Sequence, residues 1–169
     1  MANKLSLIVL AATIGLGASV AHAADGKIAF KGEVIDAPCS VDPSNSEFTV
    51  QLGKVGTQSF KAVGDKASAK NFTLKLTSCT DAAANATVRF DGVTSTANPE
   101  LLSVDGATGV GIEITDNNGV RAPIGGDSAG VKLAKGDNNL VYSARYISTA
   151  ATVTSGAANA NAQFTVNYQ

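Results

Sequence analysis

The stretch Lys27–Ser40, KIAFKGEVIDAPCS, alternates as a β-strand does and carries Ile28, Phe30, Gly32 and Val34 on one face. The glycine is the informative residue. In a strand that strengthens its own sheet, Gly costs conformational entropy and contributes no packing, so it marks either a bulge or a place where another backbone must come close. The first option makes the stretch the opening strand of an ordinary sandwich. The second makes it a strand shaped for a groove supplied by another chain.

Upstream of it lies a secretory signal: Lys4 as the positive start, an apolar run from Leu5 to Val20, and Ala21-His22-Ala23 as the small-x-small cleavage site. The run is too short and too interrupted by glycine to span a membrane. Cleavage after Ala23 leaves 146 of the 169 residues, a single-domain size with room for a proper core. It removes Lys4, the only Met and the only His, and turns the formal charge of −1 into −2. With no basic cluster along the chain, nucleic acid and anionic membrane surfaces are poor partners. Export also bears on Cys39 and Cys79, for which an oxidising destination makes one disulfide the default. A pair of free thiols is the alternative, disfavoured because no histidine remains to activate a thiolate.

Downstream, short alternating runs are separated by Gly, Asn, Asp and Pro. EFTVQLGKV places Phe48, Val50 and Leu52 on one face, and NFTLKLTSC places Phe72, Leu74 and Leu76 on one face before delivering Cys79. Thr87–Phe90 is a shorter strand leading into an Asp91-Gly92 turn. VGIEITDNNGVRAPI reads as a hairpin about Asn118-Gly119. NNLVYSARYIS aligns Leu140, Tyr142, Ala144 and Tyr146, and the closing ANAQFTVNYQ aligns Ala162, Phe164, Val166 and Tyr168. Thr149–Ala162 is low in complexity and is expected as a surface loop, and Asp81–Ala86 as at most one helical turn. The spacing argues for an all-β antiparallel sandwich in one domain.

Catalytic constellations are missing from this pattern. Without histidine there is no triad and no His-containing metal site. The acids are scattered singly, with no spacing that picks out a glycosidase pair, and are expected to be solvated. Gly106–Gly111 has the wrong spacing for a nucleotide loop, and Asp116–Gly119 lacks the later Glu of a calcium loop. No enzyme activity and no cofactor are expected.

Taken together, FKGEVIDAPCSV, the second cysteine forty residues on in LTSC, and the ending ANAQFTVNYQ resemble the major pilins of chaperone-usher fimbriae, of the type 1 and long polar kinds. The likeness covers essentially the whole chain, including GVGIEI and SARYIS. Its C-terminal signature is a penultimate tyrosine, a glycine fourteenth from the end and apolar alternation between, matched here by Tyr168, Gly156, Ala162, Phe164 and Val166.

The resemblance implies an incomplete immunoglobulin-like sandwich that lacks its last strand. Residues 1–23 are then the signal, 24–36 a donor extension and 37–169 the pilin domain. Ile28, Phe30, Gly32 and Val34 would donate into a groove beside the final strand of the next subunit, with Gly32 facing a shallow pocket. Gly156, Ala162, Phe164, Val166 and Tyr168 would form the acceptor groove and the strand that a periplasmic chaperone holds, Tyr168 and Gln169 being its handle. The implied partners are copies of the chain itself, that chaperone, an outer-membrane usher and tip or adaptor pilins, on a route through the periplasm to the cell surface. An adaptor pilin of the same fold and a self-contained exported binding domain are the alternatives.

Overall fold

The computed structural model describes residues 38–80 and 85–169. Ile28, Phe30, Gly32 and Val34, the signal segment and Asp81–Ala84 lie outside the described residues. Among the described residues seven strands form: β1 (Ser40–Val41), β2 (Lys70–Cys79), β3 (Asn85–Gly92), β4 (Val110–Asp116), β5 (Val131–Lys132), β6 (Gly136–Ser148) and β7 (Ala162–Tyr168). They make two antiparallel sheets, ordered β1-β2-β6-β4 and β5-β3-β7.

The period-two alternation of each long run decides which residues meet between the sheets. Leu74 and Leu76 of β2, Val88 and Phe90 of β3, Ile112 and Ile114 of β4 and Leu140 and Tyr142 of β6 all join one buried core. Tyr142 pairs with Phe72 across β6 and β2, and its ring meets Phe90 of the opposite sheet edge to face at 5.1 Å. Its hydroxyl lies 3.1 Å from the Ser128 hydroxyl, whose oxygen accepts from the Val88 amide, so the buried polar tip is satisfied.

Four expectations need correction. Glu47–Val55 is not a strand: among the described residues it makes no sheet pairing and no backbone–backbone hydrogen bond. Asp91-Gly92 is not a turn but the end of β3, held in the ladder opposite Gln163 and Ala162. The Asn118-Gly119 turn forms, with Gly119 at φ +79° and the Asp116 amide donating to the Val120 carbonyl, yet among the described residues its returning arm makes only isolated bridges, Thr115 to Arg121 and Phe90 to Ile124. Asn85 and Ala86, expected within at most one helical turn, open β3.

Nor is every acid solvated. Glu113, 1 % exposed, points to the outer side of β4 under three cations. Arg121 Nη2 and Arg145 Nε each donate at 2.7 Å, and Lys66 Nζ stands 3.1 Å away. Burial alone would push the carboxyl up, but the hydrogen bonds from Arg121, Arg145 and Lys66 outweigh it and bring its pKa from 4.5 to about 2.

Cys39 and Cys79 are joined. The bond ties the two-residue edge strand β1 to the end of β2, where Ser78, at φ +57°, turns the chain so that Cys79 faces Cys39. The loop it closes spans 40 positions. Replacing both cysteines by Ala is therefore expected to cost about 4 kcal/mol on the chain-entropy account. Urea unfolding of the variant, set beside reduced parent protein, checks this: the two should share a midpoint well below that of the oxidised chain.

Candidate functional site: an open cleft beside the last strand

Among the described residues the sandwich is unfinished along one side. β7 is bonded to β3 through the full run from Ala162 opposite Gly92 to Tyr168 opposite Ala86, but its other edge has no partner among the described residues. Facing that edge is the unpaired run Glu47–Val55. Between them opens a cleft of about 740 Å³.

The floor of the cleft is the core itself. Four of the chain's six phenylalanines, Phe48, Phe72, Phe90 and Phe164, line it together with Ile112 and Leu102. Phe48 and Phe72 stand 5.8 Å apart and Phe72 and Phe90 6.1 Å apart, so aromatic rings run from the exposed rim to the buried centre. Polar residues sit at the margins, Glu47 and Thr49 on one side and Asn161 and Gln163 on the other. Phe48 remains 42 % exposed, and Val50, Leu52, Phe164 and Val166 are only partly buried although they pack on the core. Among the described residues, neither the apolar side chains of this trough nor the two backbone edges that border it have a covering strand, which leaves the structure incomplete.

The residues expected here are distributed as follows. Ala162 and Phe164 line the cleft, while Val166 and Tyr168 continue the same strand and pack on the core beyond it. The Tyr168 hydroxyl lies 3.5 Å from the Cys39 carbonyl, and burial pushes its pKa up. Gly156 is elsewhere: it belongs to the segment before β7, against the backbone of Gly106 and Ala107. The opposite wall, Val41, Phe48, Val50 and Leu52, was not anticipated. Its signal was present in the alternation of EFTVQLGKV, which pattern alone assigns to a strand whether or not a partner exists. Among the described residues, no group of three potential metal ligands gathers.

The profile of the family described as Fimbrial protein matches residues 28–169. The chain belongs to that family. The probable major fimbrial subunit LpfA of Escherichia coli O157:H7 is 42% identical over 171 aligned residues, covering 97% of this chain and 94% of that one. The type-1 fimbrial protein subunit of Serratia marcescens is 41% identical, with 98% and 96% covered. Among solved structures, the type I fimbria protein of Burkholderia pseudomallei superposes with a TM-score of 0.63 at 40% identity, covering 79% of this chain and 91% of that one. The P pilus rod subunit PapA superposes with a TM-score of 0.69, with 79% and 100% covered, and at 24% identity speaks for the fold alone. The fimbrial protein described here is thus a structural subunit with the immunoglobulin-like pilin fold, destined for a fimbria at the cell surface.

Proposed function

We propose that this fimbrial subunit polymerises by donor-strand exchange: residues 24–36 of one copy fill the cleft of the next, Ile28, Phe30 and Val34 entering the apolar trough and Gly32 passing over its shallowest part. The observation that carries the reading is the unpaired edge of β7 above an apolar cleft. Ile28–Val34 is seven residues long, as is β7, so the two match along their length. Such a strand would bond to β7 on one side and to Glu47–Val55 on the other, which is strand addition at an open sheet edge, the recognition mode that includes chaperone–pilin complementation. Burying Ile28, Phe30 and Val34 contributes roughly 5 to 9 kcal/mol as an upper estimate. Because donor and acceptor are different surfaces, the contact is head to tail and builds an open filament.

In this reading the first 23 residues direct export and are removed, and a periplasmic chaperone covers the cleft until an outer-membrane usher hands the subunit to its neighbour. Tip or adaptor pilins end the polymer, whose role is adhesion. No step requires catalysis or a cofactor.

The test is a chain carrying a second copy of Asp25–Asp36 after Gln169 through a short flexible linker. Turning back from Gln169, the added segment runs antiparallel along β7. It is expected to be a monomer that unfolds at far higher denaturant than the parent, which should be labile or polymerise. A parent that is already a stable monomer, unchanged by the added strand, would mean that the sandwich is complete and binds on its own account.

A further inference from the structure

We propose that Gly156 is a positioning residue for the donor strand: its bare Cα allows the segment before β7 to clasp the segment before β4, and the clasp sets where the rim of the cleft stands. The inference rests on the donor-strand reading above and assigns to Gly156 a role distinct from lining the groove.

Residues 149–161 form the low-complexity surface loop before β7, and it is strapped down. The Ala107 amide donates to the Ala157 carbonyl at 2.8 Å, Asp105 to Asn159 at 3.0 Å, Thr154 to Thr108 at 3.1 Å and Thr149 to Gly109 at 2.8 Å. The Thr108 amide also donates to Thr154 Oγ1 at 3.0 Å, and the two threonine hydroxyls are 2.8 Å apart. The Tyr146 hydroxyl donates to the Ala158 carbonyl. Since β4 and β7 belong to different sheets, this clasp fastens one sheet to the other at one end of the cleft.

Gly156 is one of two points where a glycine lets the two segments come close, the other being Gly109 against the Thr152 carbonyl. A Cβ on Gly156 would stand 2.7 Å from the Ala107 nitrogen and 2.8 Å from the Gly106 carbonyl carbon. Both are backbone atoms held by the clasp, so neither can swing aside and the strap itself would have to lift. Four residues later the strap becomes cleft wall, at Ala160, Asn161 and Ala162. The wall is drawn in tightly at that point: a Cβ on Gly92 would meet the Asn161 carbonyl at 2.8 Å and Leu102, which also lines the cleft, at 2.6 Å. Small residues and close backbone approaches thus define this end of the trough, and a strap lifted at Gly156 moves the rim without altering any lining side chain.

The experiment is a set of double-mutant cycles on the full chain bearing the added donor strand. Gly156→Ala is combined in turn with Ala in place of Ile28, Phe30 or Val34 in the added copy, and unfolding is measured with and without that strand. Positioning predicts that Gly156→Ala weakens the stabilisation conferred by the donor at least about threefold as an equilibrium constant, and that this loss changes when the one donor residue seated at the Ala160–Ala162 rim is trimmed. Should Gly156→Ala not fold, Thr154→Val removes the hydroxyl pairing without adding volume and enters the same cycles. Equal losses with and without the donor, and additivity at all three donor positions, would overturn the inference alone. An added strand that stabilises nothing even with Gly156 intact would overturn it together with the donor-strand reading.

Discussion

A Gly32→Asn subunit is expected to be exported, to fold and to be recovered with its cleft still competent, yet to form no fibres. Alternation places residue 32 on the same face as Ile28, Phe30 and Val34, so its side chain would enter an apolar trough. Asparagine brings two penalties there. Overfilling a packed site costs typically 1 to 3 kcal/mol, about the same as burying an amide without a partner, and the polar atoms lining the cleft stand at its margins rather than on its floor. A combined loss of about 2 to 6 kcal/mol lowers donor affinity by roughly one and a half to four orders of magnitude.

Sizing and electron microscopy of purified variant protein check this directly. Two companions make the result interpretable. Gly32→Ala, which adds bulk without polarity, should assemble more slowly than the parent but faster than the Asn form. Glu33→Gln, on the opposite face of the strand, should assemble normally. Fibres of normal length and rate from Gly32→Asn would show that residue 32 does not enter a cleft.

Loss of Glu113 is expected to be the most damaging single change in the outer layer of the sandwich. Its carboxylate holds together β4, β6 through Arg145, the returning arm of the hairpin through Arg121, and the segment before β2 through Lys66. Arg121 continues to Glu100 at 2.6 Å. In Glu113→Ala three cations remain crowded around a buried vacancy, and removing one partner of such a cluster costs about 3 to 5 kcal/mol. The lower end is the better expectation, because Lys66 is 41% and Arg121 29% exposed and water can reach them. Against a total stability of about 5 to 15 kcal/mol that is a large share.

The same residue predicts a pH dependence. Its folded pKa of about 2 lies below the ordinary value of 4.5, so the unfolded chain takes up the proton first as pH falls. The stabilisation is therefore fully present above about pH 5 and is lost progressively as pH drops toward 2. Denaturant midpoints measured across this window should fall for the parent and change much less for Glu113→Ala. Parallel curves would show that the cluster does not govern acid stability.

How much of this was legible beforehand depends on whether a residue's role is local. β2, β6 and β7 follow from alternation alone, because a run such as NFTLKLTSC buries the same three side chains in any two-layer arrangement. The turn at Asn118-Gly119 likewise needs only its own residues. Alternation also marked Glu47–Val55, where it misled: the pattern reports which side chains face an apolar layer but says nothing of whether a second backbone lies beside them. Asp91-Gly92 has the composition of a turn and was overridden by a ladder to a strand some seventy residues away.

What the amino-acid sequence determined by itself was the all-β class, the pairing of the two cysteines, and an N-terminal apolar alternation with a glycine on its apolar face. What only the tertiary structure decided was, among the described residues, the open edge of β7 and the unpaired wall opposite it, the burial of Glu113 under three cations, and the contact of Gly156 with Gly106 and Ala107. The physical reason is the same in each case. Periodicity and turn chemistry act between residues a few positions apart, whereas a missing neighbour, a buried charge and a close backbone approach are properties of segments that meet only once the chain has folded.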